Sequence, residues 1–225
     1  MKLSKYGITL TLLKEDEIEL VRQWRNHPSV VSNYEYREYI TPEMQQAWFK
    51  TINNINNIYL IVEYKGEKIG VVNAKDIDWE NRTCESGIFI PEGKYSNTFI
   101  PAIVTIMTME FGFRLFGWFR GYARVLKTNK PVQNMLRSVG YELCEGQEDV
   151  ENQMYEITRE KFLKKAAKLI RAMHTVTDTD DVMTAMIERS EFDDNVVLQW
   201  EEIAKQNAEI IRLEETPSAR VYFLA

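Results

Sequence analysis

The sequence predicts an α/β fold of the α+β kind, a mixed and mostly antiparallel sheet flanked by helices, with a helical extension at the C-terminus. Three observations carry this prediction. Over residues 6–158, segments of period 2 and period 3.6 succeed one another in the order β-α-α-β-β-β-α-β-α-β. The helix expected just after Asn129 carries both of its end signals, a capping Asn before it and Gly140 behind it. From Arg159 onward, helical spacing replaces the strand pattern.

Taken in order, Ile8, Thr9, Leu10, Thr11 and Leu12 alternate as a half-buried strand. Glu15, Asp16 and Glu17 then open a helix through Leu20, Val21 and Trp24, which Asn26-His27-Pro28 ends. Thr41-Pro42-Glu43 is an N-cap, a first-position proline and an acid in the first turn, so a second helix runs toward Asn53. Residues 58–64 and 68–73 are strand runs joined across Lys65-Gly66-Glu67, a hairpin signal, and a third strand occupies 84–90. An apolar helix is expected from about Asn97 to Leu115, and a strand from Gly121 to Lys127. Val132, Met135, Leu136 and Val139 then line one face of the capped helix, and residues 153–157 form the next strand. Beyond 160, apolar sets at 162–173, 182–187 and 196–211 mark three helices, 175–180 a polar linker, and 221–224 a terminal strand. The expected division is a domain at 1–160 and a helical extension at 161–225 of unassigned role.

With 225 residues, 44% of them hydrophobic, the chain can bury a sizeable core. A net charge of -6 argues against duplex DNA or an anionic membrane as partner. Cys84 and Cys144 stand apart, with only His27 and His174 to join them, so neither a metal site nor a disulfide framework is expected. No secretory signal is read at the N-terminus, and the most apolar run, residues 99–109, is far short of the ~20 residues of a membrane helix. A reducing cytoplasm is the expected setting.

Asn129 followed at +11 and +12 by Gly140-Tyr141, with apolar residues at +3, +6, +7 and +10, resembles the strand, helix and Gly-Phe element near the end of GCN5-related N-acetyltransferases (GNAT). The succession of elements over 6–158 is similar as well. Arg22-Gln23-Trp24-Arg25-Asn26, Glu67-Lys68-Ile69-Gly70-Val71-Val72 and Glu85-Ser86-Gly87-Ile88-Phe89-Ile90 resemble its ribosomal-protein and amino-sugar branches. The resemblance implies a GNAT-type sheet and acetyl-CoA as co-substrate. It places Ile88, Phe89 and Ile90 on a splayed strand against the pantetheine arm, and assigns Asn129 to the cofactor side. The pyrophosphate run of the family falls on Gly93, Lys94, Ser96, Asn97 and Thr98. Only Gly93 keeps the glycine pattern, and Ser96, Asn97 and Thr98 read equally well as phosphate donors and as a plain N-cap.

Amine acetylation needs a base to take the proton of an ammonium nucleophile. Glu85, two residues before Gly87, matches the carboxylate that many sugar and antibiotic acetyltransferases of this kind place on the central strand. Asp76 and Asp78 are weaker alternatives. Leu136 stands where many members carry a proton-donating Tyr, leaving Tyr122, Tyr141 or solvent for that step. Acceptor candidates are Arg25, Asn26, Tyr34, Tyr36 and Asp76, because flat aromatics with a few polar groups suit sugar rings or bases. The resulting expectation is an N-acetyltransferase for a small amine, first of all an amino-sugar nucleotide. Two alternatives stand beside it: a protein N-terminal acetyltransferase, and a degenerate fold kept as a binding or assembly module. The apolar faces of the extension are expected to bury against the domain or in a homodimer.

Overall fold

The computed structural model describes residues 1–91, 93–177, 182–207 and 210–224. A hairpin opens the chain, β1 (Lys2–Lys5) and β2 (Ile8–Leu12) joined by a two-residue turn at Tyr6-Gly7. Three helices follow: α1 (Ile18–Arg25), the single turn α2 (Pro28–Val31) and α3 (Pro42–Ile52). Then come β3 (Ile58–Tyr64), β4 (Glu67–Asp78), β5 (Thr83–Phe89), α4 (Ile100–Arg114), β6 (Arg120–Leu126), α5 (Lys130–Val139), β7 (Glu142–Leu143) and β8 (Asn152–Thr158). The C-terminal part contributes α6 (Arg159–Thr177), β9 (Met183–Glu188), α7 (Asn195–Asn207), β10 (Ile210–Glu215) and β11 (Ala219–Leu224).

All the strands join one sheet in the order β10-β11-β9-β1-β2-β3-β4-β5-β6-β8-β7. Every pairing is antiparallel except β5 with β6, which are linked by the crossover helix α4. Helices cover both faces. On one side Leu13, Val21, Ile52, Ile61 and Val71 form a small core with α1 and α3. On the other lies the main core, in which α4 is buried almost all round, from Ile103 to Phe113. A helix enclosed in this way must match any charge it carries. Glu110, 1% exposed, does so through Lys5 Nζ and the Tyr6 hydroxyl, each 3.0 Å away, which ties the first hairpin to α4.

The predicted helix at 182–187 is instead strand β9, flanked by β1 and β11. Its apolar residues satisfy both periods over so short a run, and the structure buries Met183, Ala185 and Ile187, which is period 2. An open β1 edge supplies the hydrogen-bonding partner that local spacing does not reveal. The expected third helix stops at Asn207, and Ile210 opens β10. The extension therefore mixes helix and strand, and its terminal strand at 221–224 lies within β11. Strand β1 was not expected, because Lys2-Leu3-Ser4-Lys5 offers a single apolar residue. Of the predicted 175–180 linker, 178–180 lies outside the described residues, as does Glu92.

Candidate active site

The site begins where two parallel strands part. Strands β5 and β6 pair only through Thr83 with Arg120, Cys84 with Gly121, and Glu85 with Tyr122. Beyond that point β5 stays with β4, matching Gly87 to Asn73, Ile88 to Val72 and Phe89 to Val71, while β6 continues with β8. Ser86 sits at the fork. Its hydroxyl donates to the Tyr122 carbonyl at 3.2 Å and lies 3.1 Å from the hydroxyl of Tyr141. The backbone of β5 beyond the fork thus keeps its β6-side groups for a guest, and an extended amide-bearing chain fits such an edge. Gly70 holds this edge in place: a Cβ there would stand 2.3 Å from the Phe89 carbonyl oxygen. Ile88 packs on the main core and Phe89 on the smaller one, so only their backbone is offered, and Ile90 touches the same Gly70.

The loop before α4 is tied up in local bonds. Lys94 pairs with Glu67 at 3.0 Å and lies over the Tyr95 ring. The Ser96 hydroxyl accepts from Gly93 N at 3.2 Å; that of Thr98 donates to Tyr95 O and accepts from Ile100 N. Helix α4 consequently starts at Ile100 rather than near Asn97, which remains exposed in the loop. Both partners of the Lys94 pair are solvent-exposed, so the ammonium is held weakly and is the part of this loop most easily recruited by a phosphate. Asn129 caps α5, accepting from Val132 N at 3.4 Å, and Gly140 ends that helix at φ 114° with its N–H given to Leu136 and Arg137.

On the α1–α3 side of the sheet lies a polar row. Glu85 is clamped by Lys75 Nζ at 2.9 Å from β4 and by Arg124 Nε at 3.1 Å from β6. Tyr122 is its register partner and is half-buried. Asp76 stands exposed at a β-bulge with φ 52°, bonded to Lys75 at 3.1 Å. Asp78 bonds Asn81 instead, in the turn. Arg25 lies over Trp48, whose ring meets Tyr59 edge-on at 5.1 Å. Burial holds the Arg25 guanidinium below its ordinary range, offset in part by the hydroxyls of Tyr59, Tyr34 and Tyr36. The same burial pushes the Tyr59 hydroxyl up.

The loop between α2 and α3 spans the fork. Tyr34 meets Phe89 edge-on at 6.1 Å, and Glu35 accepts from the Asn152 amide of β8 at 3.0 Å. Asn26 anchors this loop by exchanging two 2.9 Å hydrogen bonds with Ile40, so its amide is spent on structure. Tyr36 stays half-exposed. Trp48 links Arg25 to Tyr59, and Lys75, Asp76 and Glu85 act electrostatically on Tyr59 as Tyr34 and Tyr36 do on Arg25. Sequence reasoning did not single out Lys75, Arg124, Gln45, Tyr59 or Asn152, which reach the site only through strand register and loop packing. Leu136 is buried, and so is the Tyr141 hydroxyl, 3.0 Å from Met109 Sδ, which leaves Tyr122 as the tyrosine in register with Glu85. Among the described residues no cluster of His, Cys, Asp and Glu fit to hold a metal is found, and no helix is long and apolar enough to cross a membrane.

Residues 8–142 match the family model for the acetyltransferase (GNAT) domain. The spermidine N(1)-acetyltransferase of Escherichia coli K12 is 26% identical over 142 residues, 61% of this chain and 74% of the relative. Among solved structures, the apo form of FdhC, described as a nucleotide-linked sugar GNAT, superposes with a TM-score of 0.64 at 21% identity, covering 76% of this chain and 97% of that one. The spermidine N-acetyltransferase of Vibrio cholerae, solved with CoA and spermine, gives 0.62 at 19% identity over 71% and 99%.

Proposed function

The chain belongs to the GNAT acetyltransferase family and is an acetyl-CoA-dependent N-acetyltransferase, and we propose that its acceptor is a small amine seated on the Glu85 face of the fork, with amino-sugar nucleotides as the first class to test. The observation that carries this reading is the parting of β5 from β6 immediately after Glu85. It sets a free strand edge beside a carboxylate.

Bound acetyl-CoA supplies an acetyl group already activated as a thioester. The backbone of Ile88, Phe89 and Ile90 would hold its pantetheine arm. Gly93, Lys94, Ser96, Asn97 and Thr98 would meet the phosphates, Lys94 by exchanging Glu67 for them and Ser96 and Thr98 by giving up their bonds within the loop, and Asn129 fixes the start of α5 next to the end of β6. Glu85 takes the proton from the acceptor nitrogen, and Lys75 and Arg124 keep its carboxylate oriented across the groove. Tyr122 is the proton donor on the opposite strand. A thiolate is a good leaving group, so this donor adds less than the base.

The Glu35–Asn152 bond supports a small acceptor over a protein N-terminus, because it bridges the groove that an extended peptide would have to follow. Arg25 and the surrounding tyrosines suit a sugar nucleotide. Isothermal titration with acetyl-CoA, followed by competition of UDP-amino sugars against peptides in an acetyl-transfer assay, tests the reading. No heat at millimolar acetyl-CoA would sink it, and a clear peptide preference would replace the acceptor.

A further inference from the structure

Among the described residues, the groove holds a cation with no carboxylate partner. Lys75 and Arg124 are both matched to Glu85, whereas no carboxylate of the described residues pairs with Arg25. What faces Arg25 is Trp48 and Gln45 from α3, Tyr59 from β3, and Tyr34 and Tyr36 from the loop. Its one hydrogen bond runs from Nη1 to Gln45 Oε1 at 3.0 Å. Gln45 is 1% exposed, and its Nε2 has no hydrogen-bond partner among the described residues. The amide cannot simply be turned round, because that would set its NH2 against a guanidinium. A half-buried guanidinium and a buried amide nitrogen without an acceptor therefore sit side by side at the aromatic end of the acceptor groove. Burial without an acceptor is costly for the Gln45 amide, and an arriving anion would give it an acceptor while pairing the guanidinium beside it.

We propose that Arg25 and Gln45 form an oxyanion-binding subsite, so that the acceptor is an amine that also carries an acidic group, a carboxylate or a phosphate. This rests on the acetyl-transfer reading above and narrows it. The guanidinium fork takes either oxyanion through two parallel hydrogen bonds, the Gln45 amide adds a third donor, and the hydroxyls of Tyr34, Tyr36 and Tyr59 stand around them. Arg25 lies over Trp48, whose ring meets Tyr59, and strand register puts Tyr59 on the same face of the sheet as Glu85, so the acceptor is bound as a dipolar molecule: ammonium toward Glu85, acid toward Arg25.

The test compares amines in matched pairs, glucosamine 6-phosphate against glucosamine and an amino acid against its amide, with spermidine as the polycation, by release of free thiol from acetyl-CoA. The acidic member should win by roughly 10- to 100-fold in kcat/KM, the range of a charge-assisted contact. In Arg25→Met that ratio should collapse, in Arg25→Lys it should recover in part, and Gln45→Leu should reduce it. Preference within the phosphate pair or the carboxylate pair distinguishes the two sources of the anion. Equal rates within both pairs, or spermidine outrunning every acidic amine, overturns the subsite while leaving acetyl transfer standing. Where no amine turns over, the acidic probes must raise the melting temperature of the wild type in the presence of CoA and not that of Arg25→Met; failure of that shift overturns the subsite too. Absence of acetyl-CoA binding by titration marks instead a failure of the underlying reading, and the subsite falls with it.

Discussion

At the scale of single residues, the site is a carboxylate whose partners are fixed by the sheet. Lys75 reaches Glu85 because they are register partners across β4 and β5, and Arg124 because it lies two residues beyond Tyr122 on the same face of β6. Replacing Glu85 by Gln should lower kcat by roughly 100- to 10,000-fold, the usual worth of a positioned base, with the melting temperature little changed. Full activity in that variant would show that another group takes the proton. Gly70→Ala should cost about 1–3 kcal/mol and weaken acetyl-CoA binding, because its Cβ would push the Phe89 carbonyl out of the strand edge. Denaturant midpoints and titration calorimetry check both parts. Tyrosines give a pH dependence, Tyr6, Tyr141 and Tyr222 in the core among them. Burial, first of all, pushes the hydroxyls of Tyr6, Tyr141 and Tyr222 up, the first and last further through Glu110 and Glu201. Their folded pKa lies above the unfolded value, so their contribution is complete below about pH 10 and is lost as pH rises beyond it. Stability measured in denaturant should therefore hold from pH 8 to 9 and fall by pH 11, with a smaller fall in Tyr141→Phe.

Among the elements, α5 shows how far local signals reach. The Asn129 cap, the proline at its first turn, the buried face through Leu136 and Val139, and the left-handed Gly140 all stand where local spacing puts them. Local chemistry suffices there, because each signal satisfies a backbone group of its own helix end. Gly140→Ala should destabilise by about 1–2 kcal/mol, since φ 114° is strained for any side chain and the added methyl would meet Ile157 at 3.4 Å. Asn129→Ala should cost about 0.5–1 kcal/mol, the lower part of the capping range, as its hydrogen bond is long at 3.4 Å. Strand β9 marks the opposite case. Six residues are too few for periodicity to choose between helix and strand, and the choice was made by partners far away in the chain.

For the molecule as a whole, the extension is part of the sheet rather than an appendage to it. Strand β9 closes the β1 edge, and Phe162, Ala166, Val197 and Trp200 are buried in the same core as α4. The Trp200 indole donates to the Ile55 carbonyl at 2.9 Å, across 145 residues. Truncation after Thr158 should therefore expose an unpaired strand and a wide apolar surface, giving a chain that aggregates or melts well below the intact protein. A soluble fragment with an unchanged melting temperature would contradict this account.

The sequence by itself determined the main strands and helices between residues 8 and 158, though not β1, α2 or β7, together with the hairpin at Lys65-Gly66, the capped helix α5 and, through Asn129 with Gly140-Tyr141, the acetyltransferase family. These rest on interactions within a few residues of one another. Only the tertiary structure decided that β5 leaves β6 after Glu85, that Lys75 and Arg124 converge on that carboxylate, and that Arg25 stands beside Gln45 with no carboxylate partner among the described residues. It also decided that the extension lengthens the sheet. Register, divergence of strands and missing partners are relations between segments 10 to 184 residues apart, and the hydrophobic periods of a single segment carry no record of them.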